Sequence, residues 1–229
     1  MPTNEPIFGS LIFSDVDETL IRTKSLFDFV RWGLENGELL NEQHAAALDE
    51  LRDMRRRGVD RVELNRLYYA KVLSGLEVAA VRSAAARWFG SVASRSEFYK
   101  REVVRVVDGL RARGAKLVLV TGSFSELVEP IARELFAHHA ITAPLERQGG
   151  VFTGRLLASP TIGPGKAQAV ERYAREAGVP LARCFALGDD VSDIPFLELA
   201  GRVGVPSDGD PELVASAKAR GWTVIDIER

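Results

Sequence analysis

Asp15 and Asp17 close the apolar run Leu11-Ile12-Phe13-Ser14, so two carboxylates stand at the end of what reads as a buried parallel strand. That is where an open α/β sheet presents its reactive groups. A carboxylate held rigidly beside a divalent cation can attack phosphorus in line, giving an aspartyl-phosphate that water then removes. The second carboxyl, two residues on, can serve the leaving group as general acid. Aspartate also favours turns and caps, so an acidic strand-to-loop turn would look the same and partners elsewhere must decide.

Three later stretches offer such partners. Thr121-Gly122-Ser123 follows the apolar Leu117-Val118-Leu119-Val120 and puts a hydroxyl and backbone N–H groups where phosphoryl oxygens could be held. A plain cap by Ser123 or Ser125 is the alternative. Gly163-Pro164-Gly165-Lys166 opens a helix with a cation that the macrodipole disfavours, so Lys166 is expected to answer an anion or carboxylates; an exposed lysine is the alternative. It is no Walker A loop, which needs Gly at Pro160 and a hydroxyl at Ala167. Gly188-Asp189-Asp190-Val191-Ser192-Asp193 follows another apolar strand, where Asp189 and Asp193 can face one hard cation such as Mg2+; an ordinary acidic cap is the alternative. Without a cation, that many acids would repel one another. Each feature falls at a strand end or just before a helix, in the order nucleophile, hydroxyl, lysine, acid pair.

The elements that must position these residues follow from periodicity. Helical spacing over residues 25–36, 41–57, 61–73 and 77–89, with Gly58 and Gly75 as breaks, predicts a purely helical block after the first strand. Such a block reads as a small domain carried on a loop, with the chain rejoining near residues 92–96 and a further helix over 96–113. Then strands and helices alternate: strands at 115–120, 184–187, 203–205 and 223–227, helices at 125–136, 166–177, 194–200 and 210–220, and a β-hairpin around Gly149-Gly150 within 141–157. The run Arg52, Arg55, Arg56 and Arg57 is expected to be a solvated helix end. His44, His138 and His139 match no metal or triad spacing.

Bulk properties narrow the class. A chain of 229 residues with 46% hydrophobic content can hold a sizeable core, as one large domain or as a domain with a smaller insert. A net charge of −2 gives no basic field for nucleic acid. Cys184, the sole cysteine, lies in an apolar run and is expected to fill core. The N-terminus lacks the pattern of a signal peptide, and no apolar stretch approaches the roughly 20 residues of a membrane helix, so a soluble cytoplasmic protein without a membrane partner is expected.

The chain resembles the haloacid dehalogenase (HAD) superfamily, and within it the phosphoserine-phosphatase-like branch. The matching residues are Asp15-Val16-Asp17-Glu18-Thr19, Val120-Thr121-Gly122-Ser123, Lys166 and Gly188-Asp189-Asp190-Val191-Ser192-Asp193. The resemblance implies an α/β fold, a Rossmann-like core of mostly parallel sheet (1–22 and 96–229) with an inserted all-helical cap domain (23–95). It implies that Asp15 attacks phosphorus and that Asp17 protonates the leaving alcohol and later activates water. Mg2+ would be held by Asp15, the Asp17 main-chain carbonyl and Asp189, with Asp193 supporting directly or through water. Thr121, with Gly122, would bind the phosphoryl group, and Lys166 would balance its charge. The activity implied is that of a Mg2+-dependent phosphatase for a small phosphorylated metabolite.

In the phosphoserine phosphatases a glutamate seven residues after the second aspartate recognises the substrate ammonium, and here that count reaches Lys24, which argues for a neutral or anionic organic moiety. Phe27, Arg31, Trp32, Tyr68, Tyr69 and Lys71 are cap-side residues that could contact it or simply pack. Three rivals stand beside this reading. A dehalogenase would need neither Asp17 as acid nor a metal. A phospho-acceptor signalling module would not need the helical insert. Phosphotransfer to an acceptor alcohol could use the same residues if water is excluded.

Overall fold

The computed structural model describes residues 9–95 and 97–228. Its centre is a six-stranded parallel sheet in the order β3-β2-β1-β6-β7-β8. The strands are β1 (Leu11–Ser14), β2 (Lys116–Val120), β3 (His139–Ile141), β6 (Phe185–Leu187), β7 (Arg202–Pro206) and β8 (Thr223–Ile225). β1 pairs with β2 on one side and β6 on the other, with Ser14 opposite both Leu119 and Leu187. The chain builds outward from β1 in one direction and then in the other, so the order reverses between β1 and β6. In open α/β sheets that reversal opens a crevice at the carboxyl ends of the strands.

Alternation along the strands divides the apolar side chains between two faces. Leu11, Phe13, Val118 and Val120 pack with α7 (Pro164–Glu176), α8 (Ile194–Leu197) and α9 (Pro211–Ala219). Ile12, Leu117, Leu119 and Leu187 join a larger cluster with α5 (Arg101–Ala112) and α6 (Ser125–Glu134). That cluster also takes in the helices between β1 and β2: α1 (Ser25–Glu35), α2 (Glu42–Arg56), α3 (Arg61–Tyr68) and α4 (Val78–Val92). An aromatic seam joins the two parts edge to face. The Phe29 ring centroid lies 6.3 Å from Trp88 and 6.2 Å from Phe124, and Tyr69 lies 6.4 Å from Phe124. Cys184 is buried in the opposite cluster, as expected of a core filler.

Several boundaries differ from the periodicity reading. Residue 96 lies outside the described residues, and α5 starts at Arg101, because Phe98 is buried and Tyr99 bridges antiparallel to Ile21 before the helix can begin. The helix expected over 61–73 is α only to Tyr68 and continues as a π turn, Tyr69–Leu73. Gly154 explains the close packing there: at φ 77 it lies against the π turn, and a Cβ on it would sit 2.9 Å from the Ala70 Cα. It belongs to the hairpin β4 (Leu145–Gln148) and β5 (Val151–Leu156), which docks on the helical segment through Gly75 N to Phe152 O at 2.8 Å and Phe152 N to Leu76 O at 3.0 Å. β3 carries no alternating signal and was not expected. No described helix is long and apolar enough to cross a membrane.

Candidate active site

Three adjacent strands deliver the site. Asp15 follows β1, Thr121 follows β2, and Gly188-Asp189 follows β6, all at the same sheet edge. The Asp15 N–H donates to Leu187 O at 2.9 Å and the Thr121 N–H to Ile141 O at 2.9 Å, so the ladder fixes both residues as it ends. After Asp17 the chain folds back sharply: Glu18 takes a left-handed backbone (φ 58), and the N–H groups of Leu20 and Ile21 both return to Val16 O.

Lys166 sits in the first turn of α7 and is buried, not exposed. Its Nζ lies 2.7 Å from Asp15 Oδ1 and 2.7 Å from Asp193 Oδ1. Gly165 lets the helix approach so closely, since a Cβ there would meet Pro160 O at 2.0 Å. Burial alone would push the Lys166 ammonium pKa down; Asp15 and Asp193 outweigh that and hold it above its usual range. The second oxygen of Asp193 accepts from the N–H of Asp189 at 3.2 Å and of Asp190 at 3.4 Å, so both its oxygens are engaged. Gly188 makes room, because a Cβ on it would lie 2.7 Å from Asp193 Oδ2. Thr19 Oγ1 donates to Asp189 Oδ1 at 2.7 Å.

Asp17 accepts at Oδ1 from the N–H of Ser25, the first residue of α1, at 3.0 Å. Loss of solvation and then the charge of Asp15 still push its carboxyl up to about 7. Asp189 and Asp193 are pushed above the usual carboxylate range as well, first by burial; the neighbouring acids add to that, most directly for Asp189. Carboxylate oxygens of Asp15, Asp189 and Asp193 lie within 4.8 Å of one another. An all-oxygen, buried, mutually repelling set with one lysine as countercharge suits a hard divalent cation such as Mg2+. Neither Ser123 nor Ser125 caps α6; instead Thr121 Oγ1 accepts from the Ser123 N–H at 3.0 Å, which leaves the hydroxyl proton free for another acceptor.

Asp15, Asp17, Thr121, Gly122, Lys166, Asp189 and Asp193 all line one cavity of about 390 Å³. Of the six cap-side residues, Phe27, Arg31 and Tyr68 line it; Trp32 packs on Phe29, and Lys71 pairs with Glu50 at 2.9 Å. Arg52, Arg55, Arg56 and Arg57 are exposed at the end of α2, as expected, and Arg52 and Arg55 also border the cavity.

Two side chains outside the sequence-derived candidates, Arg61 and Asn65, clamp the site together with Tyr69, itself one of those candidates. Arg61, the first residue of α3, forms an ion pair with Asp190 across the cavity. Its position is the same anomaly that pointed to Lys166, a cation in a first helical turn. Asn65 Nδ2 donates to Gly122 O at 3.1 Å, and the Tyr69 hydroxyl donates to the same carbonyl. No spacing rule signals those two contacts.

A buried acid cluster with a lysine thus lies at the sheet's switch point, roofed by helices. The family model for haloacid dehalogenase-like hydrolases matches residues 12–198, and the chain belongs to that family. A Mycobacterium tuberculosis protein named a probable phosphatase is 31% identical over 223 residues, covering 95% of this chain and 75% of its own. Phosphoserine phosphatase SerB1 of the same species is 30% identical over 228 residues, covering 94% and 70%. A crystal structure of a Bordetella pertussis Tohama I protein of unknown function superposes with a TM-score of 0.84 at 26% identity, covering 95% of this chain and 98% of that one. The chain is a phosphatase of this family.

Proposed function

We propose that the chain is a Mg2+-dependent phosphomonoesterase for a small phosphorylated metabolite, with Asp15 as nucleophile. The observation that carries this reading is the contact of Lys166 Nζ with Asp15 Oδ1 at 2.7 Å inside the buried acid cluster. Asp15, the Asp17 main-chain carbonyl and Asp189 would hold the cation, with Asp193 supporting directly or through water. When bound, the ion supplies countercharge to the phosphoryl oxygens.

The chain's own residues do the rest. Lys166 fixes one oxygen of Asp15 and leaves the other to bond to phosphorus as the bond to the leaving oxygen breaks. Asp17, which keeps its proton up to about pH 7, gives that proton to the leaving alcohol and then takes one from the attacking water. The Thr121 hydroxyl and the Gly122 N–H hold the phosphoryl oxygens. Residues 23–95 act as a cap over a core of 1–22 and 96–229, limiting the entry of water. Lys24 lines the cavity and pairs with Glu18 at 2.8 Å, and a cation there disfavours an ammonium-bearing substrate such as phosphoserine.

The test is phosphate release from p-nitrophenyl phosphate with and without Mg2+. Asp15→Asn is expected to lower kcat by at least about 10³-fold while the protein stays folded. Acid-quenched wild-type protein is expected to carry phosphate on the peptide containing Asp15. Wild-type turnover by a folded Asp15→Asn protein defeats the assignment.

A further inference from the structure

Beyond the phosphoryl pocket, the cavity wall formed by the chain entering α1 and by α1 and α2 carries four cations: Lys24, Arg31, Arg52 and Arg55. The acids on that wall are Glu18 and Asp28. Three of the four are already paired. Arg31 pairs with Asp28 three residues before it, and Arg52 pairs with the exposed Asp49 on its own helix at 3.0 Å. Lys24 pairs with the part-exposed Glu18 at 2.8 Å. Only the Arg52–Asp49 pair is exposed on both sides and so exchanges readily with another anion. Arg55 has no carboxylate partner among the described residues, although it faces the cavity. Leu26, Phe27, Leu51, Leu64 and Tyr68 line the cavity as well and give it an apolar stretch.

Of the four, Arg55 alone lacks a carboxylate partner among the described residues, and an unpaired cation in a concave site attracts and orients an anion. The acid cluster and Lys166 already account for the phosphoryl group, so these four side chains face the organic part of the substrate. We infer that the leaving group carries a second anionic group, a carboxylate or a phosphate, joined to the phosphoester through an apolar spacer and read by Arg55 with Arg52, Arg31 and Lys24. This inference rests on the phosphatase reading above.

The experiment compares kcat/KM for pentyl phosphate and its ω-carboxylate, ω-phosphate and ω-ammonium counterparts, with p-nitrophenyl phosphate as reference. One or both anion-ended esters should exceed pentyl phosphate by about tenfold or more, the value of a charge-assisted contact, and the ammonium ester should fall below it. Which anion-ended ester is better identifies the second group. The advantage should shrink as salt is raised. Arg55→Gln should bring the anionic-to-neutral ratio back toward one, while Arg57→Gln, on an exposed residue at the same helix end but outside the cavity, should leave that ratio unchanged. Equal use of pentyl phosphate, preference for the ammonium ester, or an unaltered ratio in Arg55→Gln overturns the inference. Failure to hydrolyse p-nitrophenyl phosphate at all would instead overturn the phosphatase reading beneath it.

Discussion

Thr19 donates its hydroxyl to Asp189 Oδ1 at 2.7 Å, linking residues 170 positions apart in the chain. Both are buried, and the bond holds the Asp189 carboxylate by one of its oxygens. Thr19→Val keeps the shape and removes the donor. Groups that orient a metal-binding carboxylate typically matter by 10–100-fold, so, with Asp189 in the proposed ligand role, the Mg2+ concentration for half-maximal activity should rise by about tenfold. A Mg2+ titration of phosphate release reads it, and an unchanged titration would refute the orienting role.

In the proposed mechanism, Asp17→Asn removes the proton that a poor leaving group needs. Activity toward alkyl phosphates should fall by about 10²–10⁴-fold, and toward activated aryl phosphates by much less. Equal losses for both would count against Asp17 as the acid.

Asp17 also ties stability to pH. Its carboxyl titrates near 7 in the fold against 3.8 when unperturbed, so the folded chain binds more protons between those values and stability declines as pH rises through that window. Asp189 and Asp193, raised as well, act in the same direction. Metal-free protein should therefore lose Tm steadily from about pH 4 to pH 7 or above, and Mg2+ should flatten the loss by neutralising the cluster. Differential scanning calorimetry with and without Mg2+ checks the sign; a metal-free Tm that rises over this range contradicts it.

Gly188→Ala places a Cβ 2.7 Å from Asp193 Oδ2, forcing Asp193 away from Lys166. Displacements of this size cost up to about 10²-fold in rate, whereas overpacking here should cost about 1–3 kcal/mol of stability. The variant should fold yet turn over slowly. Full activity in it would mean that Asp193 does not position the lysine.

The site could be read from local signals because each strand-end motif joins an apolar run to a polar group that looks wrong for its place. Asp15 ends a buried strand, Lys166 opens a helix with the wrong charge, and Asp189 and Asp193 crowd one turn. The register of β1 against β2 and β6 then aligns ends that were recognisable separately. What stayed hidden depends on distant partners. The strand His139–Ile141 is three residues long and only half-buried, so it shows no alternation. The π turn at Tyr69–Leu73 is shaped by packing against Gly154, and a helical period cannot foretell it. The Asn65 and Tyr69 contacts with Gly122 O depend on how α3 lies over the strand ends.

The aromatic seam ties α1 through Phe29 and the π turn through Tyr69 to Phe124 on the sheet side, and α4 through Trp88 to Phe29, so packed rings hold the roof down. Prying it open would wet four fully buried rings, at about 1.5–3 kcal/mol for each. Helix α2 fully buries only Leu48 and Leu51, with Ala47 and Met54 packed partly against the core, and is the least deeply set of these helices. Its amides should exchange with deuterium well before those of α4, and traffic would then pass directly beneath the arginines of that helix.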